Sequence, residues 1–173
     1  MGAEPMQFRG LMRGYFLVFC AAIALWSAAP NGIAQSSNPA DSPRSAAAIP
    51  DSALIQPGAL LRLLRVGGAD KPLVLQVGSR IFFAEAHIPG AEFAGPGSQP
   101  SGLQQLQSKV AAERKGNLIV IYCGCCPWIH CPNVGPAYKQ LRDLGFTNVK
   151  VLYLANNFGD DWVAKGYAVE HGQ

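Results

Sequence analysis

Apolar and polar positions change rhythm several times along the chain, and the changes delimit its parts. Tyr15 to Trp26 is a continuous apolar run preceded by Arg9 and Arg13. From Gln35 to Pro50 large apolar side chains nearly vanish, and Ser, Asn, Pro and Ala take over. From Asp51 onward short apolar segments recur between turn residues. Pro57 to Arg65 carries Leu60, Leu61, Leu63 and Leu64 before Gly67-Gly68, which is helix punctuation, with proline near the start and glycine past the end. Lys71-Pro72 leads into Leu73 to Val77, a short apolar run that predicts a buried strand. Arg80 to Ala86 predicts a short helix. Ser101 predicts the start of another, with Gln104 as its capping-box partner and Leu103, Leu106 and Val110 at helical spacing. Asn117 to Tyr122, rich in β-branched side chains, predicts the clearest strand. Ala137 to Leu144 predicts a helix stopped by Gly145, Val149 to Tyr153 a further strand, and Asp160 to Lys165 a last short helix.

Strands alternating with helices predict an α/β domain of about five parallel strands covered by helices on both faces. Ligands of such sheets sit outside the carboxyl ends of the strands. The cysteine-rich stretch Cys123-Gly-Cys-Cys-Pro-Trp-Ile-His-Cys131 begins where the clearest strand ends.

The first third is read as something other than domain. A basic start, a short greasy core and small residues at Gly32-Ile33-Ala34 make a secretory signal over residues 1–34. The apolar run falls short of the ~20 residues needed to span a bilayer, so cleavage before Gln35 is preferred over an uncleaved anchor. Cys20 follows Phe19, a poor neighbour for a lipidated cysteine, and belongs to the discarded segment. Residues 35–50 cannot bury enough surface to offset their ordering entropy and read as a flexible linker. Residues 51–173 form the domain, and the protein is expected to be exported to a bacterial periplasm. The chain has 173 residues and a net charge of +3, with no basic run, so nucleic-acid binding is not indicated. No internal repeat is visible.

Four of the five cysteines fall between residues 123 and 131. An exported protein ordinarily uses cysteines as scattered staples, and this cluster cannot clamp distant segments. Three readings stay open: a local disulfide, most plausibly Cys126 with Cys131; resolving chemistry, in which Cys125 or Cys126 attacks oxidised Cys123; and metal binding by Cys125, Cys126, His130 and Cys131, suited to copper(I) or zinc. Cys123 follows the strand without a gap and is anchored by it. The loop then enters a helix near Asn133, whose N–H groups favour a thiolate. Cys123 is therefore the expected nucleophile. His130, inside the loop, is the polar candidate that could lower a thiol's pKa or bind metal. Trp128 is expected to pack.

Over roughly residues 55 to 172 the chain resembles the rhodanese domain. Leu73 to Val77 sits where that family has its first core strand. His87-Ile88-Pro89-Gly90-Ala91 is similar to its His-Ile-Pro-Gly-Ala signature, and Ile119 to Cys123 to the strand that delivers its catalytic cysteine. Leu141 to Val149 resembles the helix end and turn that follow, and Trp162 with Gly166 to Glu170 a closing segment. The chain departs from the family at Gln76 and Gly78, at Asn156-Asn157 and in the longer cysteine loop. The resemblance implies a sulfurtransferase that carries sulfane sulfur as a persulfide on Cys123 and passes it to a thiol or other acceptor. It implies a structural role for His87, Pro89 and Gly90, whose backbone angles the turn fixes. No cofactor is implied. The partners are a small sulfur compound or a thiol-bearing protein, with no stable membrane insertion once the signal is removed. The competing class is a metal or thiol-redox module without transferase activity.

Overall fold

A computed structural model of the chain describes residue 46 and residues 49–172 apart from 67, 69 and 70. The signal expected over 1–34 and nearly all of the linker lie outside the described residues. The linker's carboxyl end does not: Ala46 and Ile49 are buried against the core. Packing thus begins before Asp51, because Ile49 is the first large apolar side chain in sequence after a long polar stretch. Among the described residues no helix is long and apolar enough to cross a membrane.

Five parallel strands form one sheet: β1 (Leu54–Ile55), β2 (Leu73–Gln76), β3 (Glu92–Phe93), β4 (Ile119–Tyr122) and β5 (Val149–Leu152). Their spatial order is β1-β5-β4-β2-β3. β4 lies at the centre, with Gln76 of β2 opposite Tyr122 and Ile121 opposite Val151 of β5. The connections are α1 (Pro57–Val66), α2 (Arg80–Glu85), α3 (Pro100–Lys109), α4 (Val134–Asp143) and α5 (Phe158–Asp161). The expected α/β architecture, with helices on both faces, is the one observed.

Alternation along the central strand sorts the core into two layers. Ile119, Ile121 and Cys123 point into a cluster with Leu106 of α3 and Val134, Ala137 and Leu141 of α4. Val120 and Tyr122 point the other way, toward Leu60 of α1, Phe83 of α2 and Trp162. All four residues of β4 are buried, as a strand covered on both faces requires.

Several local expectations need correction. β1 and β3 are two residues each, too short to show a period in sequence. α3 starts at Pro100, with Gln99 at the cap position and no side-chain cap bond. Proline fits the first helical position because its missing N–H has no partner to lose, so the Ser101–Gln104 box is not used. α4 begins at Val134 rather than Ala137, drawing Gly135 and Pro136 into its first turn. The last helix starts earlier, at Phe158. Asn157 caps it by accepting the Asp160 N–H at 2.9 Å.

Candidate active site

β4 ends at Tyr122 and delivers Cys123 as its next residue. The pleat turns this side chain to the α3/α4 side, where it is only 4% exposed. The end of β2 holds it in place. The Gln76 Nε2 donates to the Cys123 carbonyl at 3.2 Å, and its Oε1 accepts the Gly78 N–H at 3.1 Å. A Cβ on Gly78 would stand 3.0 Å from both the Cys123 sulfur and its carbonyl oxygen, so glycine leaves the space the thiol occupies.

Beyond Cys123 the chain doubles back. Gly124 has φ of +75°, a conformation that residues with a Cβ adopt only under strain. Its carbonyl accepts the Phe158 N–H at 3.0 Å. The reversal places the Cys125 sulfur 2.9 Å from that of Cys123, and the Cys126 sulfur 3.3 Å from that of Cys125. All three sulfurs lie within 4.8 Å of one another. The loop then makes one turn of 3-10 helix at Trp128–His130. It is tied down by the Trp128 N–H to the Ala155 carbonyl at 3.1 Å and by the Trp128 ring against Tyr153. Asn133, buried at the entrance to α4, faces back. Its Nδ2 donates to the Cys123 sulfur at 3.2 Å and lies 3.9 Å from that of Cys125, while its Oδ1 accepts the Ser98 N–H at 3.0 Å. Cys131 is buried beneath the loop, hydrogen-bonded to Cys123 and to the N–H groups of Asn133 and Val134. None of the four cysteines is in a disulfide.

This arrangement divides the thiols by acidity. The hydrogen bond from Cys123 draws Cys125 down to about 6 against the opposing effect of burial. Cys131 falls to about 7, again chiefly through Cys123, with the N–H groups at the start of α4 adding to the effect. Cys123 moves strongly the other way, because its bonds to Cys125 and Cys131, and then its burial, hold its proton on. Burial first, and the Cys125 hydrogen bond second, also raises Cys126. Cys125 and Cys131 are thus the thiols that ionise most readily, while Cys123 keeps its proton.

Cys123 and Cys125 open onto a cavity of about 630 Å³, floored by Tyr122 and Phe158. Among the described residues, Glu85 and His171 are its only acidic or imidazole side chains, and no lysine or arginine lines it. A larger hollow of about 740 Å³ beside β3 and α3 contains no thiol or imidazole among its lining residues.

No family model matches the sequence, and no curated protein is similar enough to count as a relative. Solved structures are similar. The BH2092 protein of Bacillus halodurans superposes with a TM-score of 0.54 at 23% identity, over 69% of this chain and 77% of its own. The rhodanese-like domain of the Anabaena Alr3790 protein superposes at 0.50 and 22%, over 69% and 79%. This chain has the rhodanese-like fold. A thiosulfate sulfurtransferase of Pseudomonas aeruginosa also matches at 0.50 and 19% identity, with 69% of this chain covering 20% of that longer one.

Within that fold the expected site residues separate into groups. Cys123, Cys125 and Cys126 come together, whereas the set weighed for metal was Cys125, Cys126, His130 and Cys131. His130 is exposed on the 3-10 turn and does not belong to the sulfur group; Cys131 touches that group through its hydrogen bond to Cys123. His87 is buried, stacked on Phe83 at 3.9 Å with its Nδ1 2.8 Å from the Phe83 carbonyl. The His87 backbone pairs with Glu170, whose carboxylate accepts the Gly90 N–H at 2.9 Å; Pro89 lies in the turn between. The Ile88 N–H reaches the Tyr122 hydroxyl, so the motif braces the end of β4 from the opposite face. Sequence reasoning did not single out Asn133 as a partner of sulfur. A buried asparagine that starts a helix without capping it was its only signal, and only the fold reveals it. Gln76, noted in sequence only as a departure from the family pattern, is the residue that fixes the Cys123 backbone.

Proposed function

We propose that the domain is a sulfurtransferase that carries sulfane sulfur as a persulfide on Cys123. The observation that carries this reading is Cys123 itself, anchored at the carboxyl end of the central strand and lining a cavity, with its sulfur 2.9 Å from that of Cys125. An organic hydropersulfide supplies the sulfur. As the Cys123 sulfur attacks the donor's outer sulfur, its proton passes to Cys125 and the donor's S–S bond breaks to release an alkyl thiolate. The Asn133 amide steadies the attacking sulfur. The described residues lining the cavity offer no lysine or arginine to a doubly charged donor, which favours donors of low charge.

Three sulfurs within 4.8 Å also support a second reading, a soft metal such as copper(I). A metal with bonds of about 2.3 Å to sulfur spreads its thiolates to about 3.8 Å apart. The observed 2.9 and 3.3 Å are closer, which favours sulfur–sulfur chemistry. Intact-mass analysis after exposure to an alkyl hydropersulfide tests the carrier. The wild type should gain one sulfur and Cys123→Ser none, whereas Cys131→Ser should keep some transfer. A gain that survives in Cys123→Ser, or tight copper(I) binding with no sulfur gain, would overturn the proposal.

A further inference from the structure

We propose that Cys125 discharges the Cys123 persulfide within the chain, so that sulfane sulfur leaves as hydrosulfide and the two cysteines end as a disulfide. This rests on the carrier reading above and adds a second redox residue and a product to it. The geometry that points to it is the turn at Gly124. The positive φ there folds Cys125 back over Cys123, and the two sulfurs sit 2.9 Å apart before any donor arrives. A carrier whose task ended at the persulfide would need an empty space beside its sulfur, open only to the acceptor. Here another thiol, half-buried and lining the same cavity, already touches the sulfur that would be loaded.

The step balances as follows. Cys125 first gives the proton it took up during loading to the departing alkyl thiolate, and as a thiolate it then attacks the inner sulfur of the persulfide, which is the Cys123 Sγ. A Cys123–Cys125 bond forms, the bond from Sγ to the outer sulfur breaks, and its electron pair leaves with the outer sulfur as hydrosulfide. The sulfane sulfur is reduced by two electrons, and the two cysteine thiols supply them. A small dithiol or a dithiol protein then reduces the disulfide and returns the site to its resting form. Cys126 is less well placed for the attack, because burial holds its proton on and its sulfur touches that of Cys125 and not that of Cys123. Cys131, which also bonds to Cys123, is the rival attacker that disulfide mapping distinguishes. The Asn133 amide, within reach of both reacting sulfurs, holds them together through the exchange.

The test loads the full chain with an alkyl hydropersulfide, removes excess donor, and follows the protein by intact mass and the solution by a sulfide-reactive fluorophore. The wild type is expected to lose its extra sulfur, release one hydrosulfide per chain and accumulate a disulfide that peptide mapping places between Cys123 and Cys125. Cys125→Ser, and Cys125→Ala as a second variant, should hold the persulfide at least tenfold longer and release sulfide only when an external thiol is added. A wild type that keeps its persulfide as long as the variants, or a disulfide mapped to Cys126 or Cys131, overturns the intramolecular discharge while leaving the carrier intact. If neither the wild type nor the variants ever gain sulfur, the carrier reading has failed first and takes this one with it.

Discussion

The chemistry of this site depends on which sulfur holds the proton, and one amide helps to decide it. Asn133 presents a donor to the sulfurs of Cys123 and Cys125 while its oxygen is occupied by the Ser98 N–H. Asn133→Asp would keep the acceptor for Ser98 and place a carboxylate where the donor was. A like charge disfavours a thiolate. In the wild type, Cys125 should alkylate with a midpoint near pH 6, slowing about tenfold for each pH unit below it as the thiolate is protonated. In Asn133→Asp that midpoint should rise by about one unit or more, with circular dichroism unchanged. Alkylation rates measured across pH check both statements, and an unmoved midpoint would deny Asn133 its electrostatic part. Cys123→Ala, which removes the donor, should also raise the Cys125 midpoint, because the hydrogen bond from Cys123 is the largest cause of its acidity.

At the scale of elements, the loop's shape hangs on a single reversal. Gly124→Ala would put a Cβ at φ of +75°, 2.7 Å from the Cβ of Phe158 at the start of α5. The backbone strain alone costs roughly 1–3 kcal/mol, and the clash adds to it. Gly145 makes the control: its φ is +87°, but a Cβ there meets nothing within 4 Å. Urea unfolding should therefore show a larger loss for Gly124→Ala than for Gly145→Ala, and only the former should slow sulfide release. This contrast also marks what sequence could show. The long apolar strands, the helices punctuated by Pro57 and Gly145 and the placement of Cys123 are properties of local pattern, and they were legible. The partnership of Asn133 with sulfur, the brace from Gln76 to the Cys123 carbonyl and the two-residue edge strands arise only when distant segments meet. Even the start of α3 was misjudged, because Pro100 at the first helical position outcompeted a capping box that pattern alone favoured.

At the scale of the whole molecule, the net charge of +3 is not gathered at the cavity over the thiols, where no lysine or arginine stands among the described lining residues. Among the described residues, the cavity's only acidic or imidazole side chains are Glu85 and His171, held together because the His171 Nδ1 contacts the Glu85 carbonyl. A dianion such as thiosulfate must therefore approach a thiolate and a carboxylate with no lysine or arginine among the cavity's described lining residues, whereas a singly charged hydropersulfide faces half that repulsion. Reversing one charge tests this. Glu85 is the last residue of α2 and is exposed, a place where lysine suits the helix dipole and the fold should be kept. Glu85→Lys changes the local charge by two units. Acting on a dianion at about one Debye length, that is worth on the order of 1 kcal/mol, roughly fivefold in KM. Steady-state assays should show KM for thiosulfate falling by about this factor. For an alkyl hydropersulfide the fall should be about half as large in free energy, and both gains should fade in about 1 M salt, where the screening length shrinks to a few ångströms. A variant that helps both donors equally, or neither, would mean that shape or the loop thiols, and not the missing cation, select the donor.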